Sequence, residues 1–338
     1  MSDFKPPMVN PFVIQLGNHV LLRLAFWWGY YDGVDIDDDC LQKISALQGK
    51  RVILCPNHSH PHDPIILWYL SKKLGEPFRF VAAREIFDSW HGLQGWLLQR
   101  LGVHSVDRQV IDRRSIATTF DIIKQGKQKL VIFPEGEISS RNDRLLSLQE
   151  GLVSLFLKAA AMMENEGAVY VLPLALRYRY CHDIAPSINN ALLRIEQVLQ
   201  LPNAGDLIER FQRVREKILQ RICPELPVDP EGLSQYVSKG SRLARIMALL
   251  TFREMDEISP ENLAAGIDLI ERELFSRVTQ KGRRRVRIEA GDPLNVSALL
   301  ADYRVNKRKT VGRLASEIHE QLLELLEIAP GEAYPQAA

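Results

Sequence analysis

The sequence of 338 residues lacks the features that mark several large classes of protein. It has four cysteines and no C-x-x-C pair, too few for a secreted disulfide scaffold of this length, so we expect reduced thiols in the cytosol. Its 43 basic and 42 acidic residues leave a net charge of +1. Because no overall positive field would concentrate nucleic acid on the surface, we expect no nucleic-acid partner.

The chain also lacks the marks of export and of a membrane span. Its first residues, MSDFKPP, have neither the charged region nor the apolar core of a signal peptide. Residues 8–31 are strongly apolar, but Asn18, His19 and Arg23 interrupt them, and a bilayer span needs roughly 20 nearly uninterrupted apolar residues. We interpret residues 1–40 as an N-terminal helical segment that contacts the membrane interface. A core helix with aromatic packing residues is the alternative.

Strand and helix patterns alternate along the first half of the chain. Short β-branched and apolar runs predict strands at 51–56, 78–83, 129–133 and 169–176. Helical spacing of apolar residues predicts a helix that begins at Pro64 and further helices at 111–125 and 151–164. This alternation predicts an α/β fold with a mostly parallel central sheet flanked by helices, in which reactive loops gather at the carboxyl ends of the strands.

The pattern changes after residue 180. Four segments show helical spacing with abundant charge, at 187–200, 204–221, 241–252 and 261–280. A predicted strand at 284–289 and a last predicted helix at 310–328 then resume the strand-and-helix pattern of residues 41–180. We therefore divide the chain into the N-terminal segment 1–40, a core at 41–180, a helical insertion at 181–282, the return of the core at 283–328 and a tail at 329–338.

The loop after the first predicted strand carries a histidine and a carboxylate five positions apart, His58 and Asp63. A carboxylate that accepts the Nδ1 proton of histidine fixes its tautomer and leaves Nε2 free to take a proton from a hydroxyl. We also expect Asp63 to be the N-cap of the next helix, with Pro64 at N1. The alternative is that Asp63 only caps this helix and that His58 is an ordinary polar loop residue.

A second polar loop, FPEGEIS at 133–139, ends the third predicted strand. It places Glu135 beside Gly136, where the main chain can approach a ligand closely. The alternating residues RYRY at 177–180 extend the next strand past its apolar part. They could line the mouth of a cleft or have a purely structural role.

Taken together and in order, these motifs resemble those of the glycerolipid acyltransferase family, which includes lysophosphatidate acyltransferases. The family patterns are N-H-x-x-x-x-D, a glycine six residues before an arginine, F-P-E-G followed by a serine, and an apolar strand with a central proline. The matching residues are Asn57, His58 and Asp63; Gly102 and Arg108; Phe133, Pro134, Glu135, Gly136 and Ser139; and Pro173. The resemblance covers roughly residues 45–180 and 284–328.

The resemblance implies transfer of a fatty acyl group from acyl-CoA or an acyl carrier protein to a glycerolipid hydroxyl, with 1-acylglycerol-3-phosphate as the best specific acceptor. It implies a role in phospholipid synthesis at the cytoplasmic face of a membrane, with no cofactor and no metal. His58 would be the general base, and Asp63 would hold it. The implied substrate-binding residues are Arg108, Glu135, Gly136 and Ser139, of which the arginine would hold an anionic headgroup.

One departure from the family pattern bears on the acceptor. Glu137 and Ile138 stand where the family has Thr-Arg, so a cation expected near the acceptor phosphate is replaced by a carboxylate. Arg141 or Arg144 could substitute for it. Otherwise the acceptor is another lysolipid, or one without phosphate.

Two further interpretations stay open. His58, His60 and His62 with Asp63 also fit the start of a binuclear zinc site, in which His182 and Asp183 would be later ligands, and they would make a zinc-dependent hydrolase. The third possibility is a non-catalytic membrane scaffold. The presence of His58, Asp63 and Glu135 favours an enzyme.

Overall fold

The computed structural model describes residues 3–107, 112–139, 142, 145–222 and 258–327. Within them, eight strands form one sheet. They are β1 (Tyr31–Ile36), β2 (Arg51–Pro56), β3 (Phe78–Ala83), β4 (His104–Val106), β5 (Lys129–Val131), β6 (Val169–Tyr180), β7 (Arg284–Ala290) and β8 (Leu294–Asn295). The strand order is β1-β7-β6-β2-β5-β3-β4, and β8 pairs with β6.

The sheet is mostly parallel. β6, β2, β5, β3 and β4 run in one direction, whereas β7 is antiparallel to β6 and β1 is parallel to β7. The predicted α/β fold is therefore confirmed. Because β2 and β5 are parallel neighbours, the loops that follow them leave the same edge of the sheet.

Helices cover both faces of the sheet and form a separate group after β6. They are α1 (Pro11–Leu16), α2 (Leu22–Trp28), α3 (Asp38–Ser45), α4 (Asp63–Leu74), α5 (Leu93–Arg100), α6 (Arg113–Gln125), α7 (Glu150–Met162), α8 (Ala185–Leu199), α9 (Leu207–Ile222), α10 (Pro260–Phe275), α11 (Leu300–Val305) and α12 (Lys307–Leu326). A π-helical turn at Gly17–Leu21 joins α1 to α2, and 3-10 turns occupy Arg84–Gly92 and Val296–Leu299. The predicted helix at 241–252 lies outside the described residues.

The core has two layers because successive side chains of a strand point to opposite faces of the sheet. On β2, Ile53 and Cys55 belong to the cluster beneath α7 and α12, whereas Val52 and Leu54 belong to the cluster beneath α3 and α4. A third cluster lies among α8, α9 and α10. Burial of both faces explains why the central strands are continuously apolar in sequence.

The N-terminal helices pack on α4 through a glycine. Gly17 is buried against the Trp68 ring, and a β-carbon at this position would lie 2.5 Å from that ring. The Lys72 ammonium donates to the carbonyl oxygen of Asn18 at 2.6 Å, which satisfies a main-chain acceptor in the π-helical turn. Among the helices of the described residues, none is both long and apolar enough to cross a membrane.

Two differences between the structure and the sequence predictions lie beside the histidine loop. Residues 31–36 form β1, a strand that the sequence did not predict. The prediction that Asp63 is the N-cap of α4 was wrong, because the helix begins at Asp63 and His62 is the cap residue, with no capping hydrogen bond from its side chain. The Asp63 carboxylate is instead engaged by the histidine loop.

Candidate active site

The candidate site is centred on His58, in the loop between β2 and α4. Its Nδ1 lies 2.8 Å from Oδ2 of Asp63, and the same oxygen accepts a hydrogen bond from the main-chain N–H of His60 at 2.9 Å. Asp63 is fully buried, whereas the His58 side chain is 15% exposed. The carboxylate thus holds Nδ1–H, and Nε2 is the nitrogen that can take a proton from a substrate.

The loop after β5 holds His58 from the other side. The Phe133 ring stacks on the His58 imidazole, with centroids 4.0 Å apart. Oε1 of Glu135 accepts a hydrogen bond from the His58 N–H at 2.5 Å, and the Ser139 N–H donates to the His58 carbonyl at 2.7 Å. The first and third motifs therefore meet around one residue, as expected for loops that leave neighbouring parallel strands.

Glu135 joins the two sides of its own loop. Its second oxygen, Oε2, accepts a hydrogen bond from the Leu146 N–H at 2.7 Å. Burial raises the pKa of Glu135 to about 8, against the two main-chain N–H groups that lower it. Because both carboxylate oxygens are engaged by the main chain, Glu135 fixes the shape of the loop that carries His58.

Glycine is required beside this glutamate. Gly136 has a φ of +72°, and a β-carbon at this position would lie 2.1 Å from the Gln149 side chain. The amide of Gln149 donates to the Glu135 carbonyl at 3.3 Å. The positive φ, a conformation that residues other than glycine rarely adopt, explains why the motif has glycine here.

The structure describes some of the remaining motif residues and not others. Arg108 lies outside the described residues, as do Arg141 and Arg144. Gly102 has a φ of +88° and packs against Arg79. Pro173 lies in β6, opposite Cys55 of β2, which places the following residues of β6 beside the histidine loop.

Two asparagines continue the sheet edge past the end of β2. The Asn57 side chain donates to the Leu176 carbonyl at 3.2 Å and accepts from the Leu176 N–H at 2.7 Å. The Asn142 side chain does the same for Tyr178, at 2.6 Å and 3.1 Å. Side-chain amides thus replace the strand that would otherwise pair with the end of β6.

Sequence reasoning missed the contact between Tyr178 and Asp63. The Tyr178 hydroxyl donates to Oδ1 of Asp63 at 2.5 Å, and its side chain is buried. The Arg-Tyr alternation at 177–180 was a signal, since period-2 alternation places alternate residues on one face of a strand. Arg177, on the opposite face, pairs with Glu289 at 3.0 Å.

His60 and His62 lie in a buried cluster with Tyr31 and the guanidinium of Arg284. Nη1 of Arg284 lies 3.1 Å from Nε2 of His60, and the Tyr31 hydroxyl lies 3.0 Å from Nδ1 of His62. Burial, and then the charge of Arg284, lower the pKa of both imidazoles. A guanidinium at this place does not fit a zinc site, and within the described ranges no group of three or more His, Cys, Asp and Glu is arranged to hold a metal ion.

The geometry places a histidine, oriented by a buried carboxylate, at the edge of the sheet of an α/β fold, and comparison with family models identifies the domain. Residues 39–177 match the family model Acyltransferase. Residues 39–177 therefore form an acyltransferase domain of the glycerolipid acyltransferase family, and the protein is an acyltransferase. A search of curated proteins finds no significant match. The resemblance drawn from the motifs is confirmed over this range, which contains both loops around His58, and at residues 284–328 it stays a prediction.

Proposed function

We propose that this acyltransferase moves a fatty acyl group from acyl-CoA or an acyl carrier protein to a lysolipid hydroxyl, with 1-acylglycerol-3-phosphate as the acceptor. The observation that carries the proposal is the 2.8 Å contact between His58 Nδ1 and Asp63, which leaves Nε2 for the acceptor hydroxyl. His58 lies within the family domain and is partly exposed, as a catalytic base must be.

In the proposed reaction, His58 Nε2 takes the proton of the acceptor hydroxyl while the alkoxide oxygen forms a bond to the thioester carbonyl carbon. The tetrahedral intermediate then collapses, the carbon–sulfur bond breaks, and the imidazolium returns its proton to the thiolate leaving group. Asp63 stabilises the imidazolium between these two steps. A positioned base of this kind is worth roughly 10² to 10⁴ in rate.

The substrate-binding residues have distinct proposed roles. Glu135 and Gly136 shape the acceptor side of the cleft by fixing the loop next to His58, and Ser139 closes that loop onto the His58 carbonyl. Arg108 would hold an anionic headgroup, for which a guanidinium fork is suited. Its proposed role rests on the sequence motif alone.

A second candidate function differs from the first in the identity of the acceptor. Glu137 and Ile138 replace the family's Thr-Arg, and a carboxylate near an acceptor phosphate would repel it. A neutral lyso-glycolipid is therefore the alternative acceptor, in which case the enzyme would not make phosphatidate.

Incubation of purified enzyme with labelled acyl-CoA or acyl carrier protein and a panel of lysolipids tests this proposal. We expect labelled phosphatidate from lysophosphatidate, and a rate at least tenfold above that with a neutral lyso-glycolipid. Arg108→Ala should raise KM for lysophosphatidate, while Arg304→Ala, a surface arginine paired with Glu164, should not. Preference for the neutral acceptor would replace the phosphate assignment, and transfer to no lysolipid would contradict the proposal.

We also propose that the enzyme works on the cytoplasmic face of a membrane, held there by an exposed aromatic surface. Phe12, Trp27 and Trp28 on α1 and α2 are exposed, and Trp28 is 71% exposed. Trp90 and other apolar side chains of residues 84–100 extend the surface. Exposed apolar patches that contain several tryptophans are typical of interfacial membrane contact.

The main chain brings these two segments side by side. The Met8 N–H donates to the Gln99 carbonyl at 2.8 Å, and the Asn10 N–H donates to the Arg100 carbonyl at 2.9 Å. Arg100 stacks on the Trp96 ring, so a cation accompanies the aromatic side chains. On such a surface the cation suits anionic lipid headgroups, and the aromatic side chains suit the apolar layer beneath them.

Vesicle flotation tests the membrane proposal directly. Trp28→Glu should reduce binding to vesicles that contain anionic phospholipid by at least fivefold. Val305→Glu changes an apolar residue on α11 that is even more exposed than Trp28, and it should leave binding unchanged. Equal binding by the two variants and the wild type would contradict this role for the aromatic surface.

A further inference from the structure

Tyr178 is a buried tyrosine that touches the carboxylate behind the proposed base. It lies near the end of β6, and its hydroxyl donates to Oδ1 of Asp63 at 2.5 Å. The other carboxylate oxygen, Oδ2, faces Nδ1 of His58 and the N–H of His60. Each oxygen of Asp63 therefore has its own donors, and rotation of the carboxylate would break bonds on both sides.

The position of Tyr178 is fixed by its main chain as well as by its ring. Asn142 bonds to both the N–H and the carbonyl of Tyr178, and Val286 of β7 is its partner on the other edge of β6. The ring lies against the His60 imidazole, with centroids 5.0 Å apart, and near the Tyr31 ring at 6.1 Å. The phenol is therefore held rigidly and delivers its hydroxyl to one point.

The hydroxyl is suited to donate and not to ionise. Burial, and then the nearby charge of Asp63, raise the pKa of Tyr178 well above its ordinary value. The phenol therefore keeps its proton at any pH at which the enzyme works, and the carboxylate oxygen is the acceptor. A short hydrogen bond of this kind to a charged acceptor is stronger than one between neutral groups.

We propose that Tyr178 is a positioning residue for acyl transfer, which holds Asp63 so that Oδ2 faces His58 Nδ1. Through this bond it also moderates the charge that Asp63 presents to the imidazole. The inference rests on the proposed function, in which His58 is the base. A tyrosine that only satisfied its own hydroxyl would leave the chemistry at His58 unchanged.

Tyr178→Phe is the direct test, because it removes the hydroxyl and keeps the ring. We expect kcat to fall about tenfold, KM for donor and acceptor to change less than twofold, and the acidic limb of the pH–rate profile to move to higher pH. The shift follows because a carboxylate without the phenol bond attracts the imidazolium more strongly. Tyr170→Phe, on the same strand but partly exposed and away from the histidine loop, should change none of these values.

Two further measurements distinguish this inference from the proposed function. In an Asp63→Ala background, Tyr178→Phe should have almost no additional effect on kcat, because its action passes through Asp63. In ¹⁵N-histidine-labelled protein, the low-field Nδ1–H signal that is absent from His58→Ala should shift or broaden in Tyr178→Phe. This signal can be read even if no lysolipid is a substrate. An unchanged signal together with an unchanged pH profile would overturn the role of Tyr178.

Discussion

Replacing Asp63 with asparagine separates the charge of this residue from its geometry. The side chain is fully buried and receives three donors: the His58 Nδ1–H, the His60 N–H and the Tyr178 hydroxyl. The two donors at Oδ2 are fixed in direction, whereas a hydroxyl can rotate to accept. The amide oxygen of asparagine should therefore occupy the Oδ2 position, and its NH₂ should donate to the Tyr178 oxygen.

The reverse orientation would place the amide NH₂ against the His60 N–H. Two opposed donors in a buried site cost about 1–3 kcal/mol, so the orientation that keeps the Nδ1–H tautomer of His58 is favoured. What is lost is the charge. A hydrogen bond to a charged acceptor is worth about 1.5–3 kcal/mol and a neutral one about 0.5–1.5 kcal/mol, a difference of about 1–2 kcal/mol.

This difference corresponds to a decrease in kcat of about 5- to 30-fold for Asp63→Asn, with the tautomer preserved. Asp63→Ala removes orientation as well as charge, and we expect about 10²- to 10⁴-fold. Steady-state rates of acyl transfer measure both, with thermal unfolding to confirm that each variant is folded. Equal losses in the two variants would refute the argument that the His60 N–H sets the orientation of the amide.

Two further predictions concern stability and follow from buried groups away from the site. Burial lowers the pKa of His104 to about 4, below its unfolded value near 6.5, so its contribution to stability is present above pH 6.5 and is lost as the pH falls towards 4. His104→Gln should therefore reduce the loss of unfolding free energy between pH 7 and pH 4 by on the order of 3 kcal/mol, as measured by urea titrations. If the unfolding free energies of variant and wild type fell in parallel with pH, this prediction would be wrong. Gly17→Ala should lower the free energy of unfolding by about 1–3 kcal/mol because the Trp68 ring must move, whereas Gly312→Ala, in α12 with open space around it, should raise it by about 0.5–1 kcal/mol. The same sign for both alanine variants would contradict the close packing of the π-helical turn on Trp68 of α4.

The parts of the fold that could be predicted are those with strong local patterns. β2 is a run of β-branched and apolar residues because helices cover both faces of the sheet, and its bounds at 51–56 were predicted correctly. The meeting of the His58 and Glu135 loops was also accessible, because carboxyl ends of parallel strands share an edge. The order of the motifs along the chain, which resembles that of the acyltransferase family, also supported this prediction.

The parts that could not be predicted depend on partners far away in sequence. β1 has the sequence YDGVDI, with alternating polar residues and a glycine, and it becomes a strand because β7, about 250 residues later, pairs with it. The Tyr178 contact to Asp63 spans 115 positions. Asp63 looked like a helix cap because aspartate before proline is a common helix start, but three buried donors use its carboxylate instead.

The claim that His58 Nε2 is the base is tested most directly by the single-turnover rate of acyl transfer from labelled donor to lysolipid by His58→Ala. We predict a fall of about 10²- to 10⁴-fold with an unchanged unfolding temperature. His182→Ala, an exposed histidine outside the site, should transfer acyl groups at the wild-type rate. Wild-type transfer by a well-folded His58→Ala protein would show that His58 is not the base.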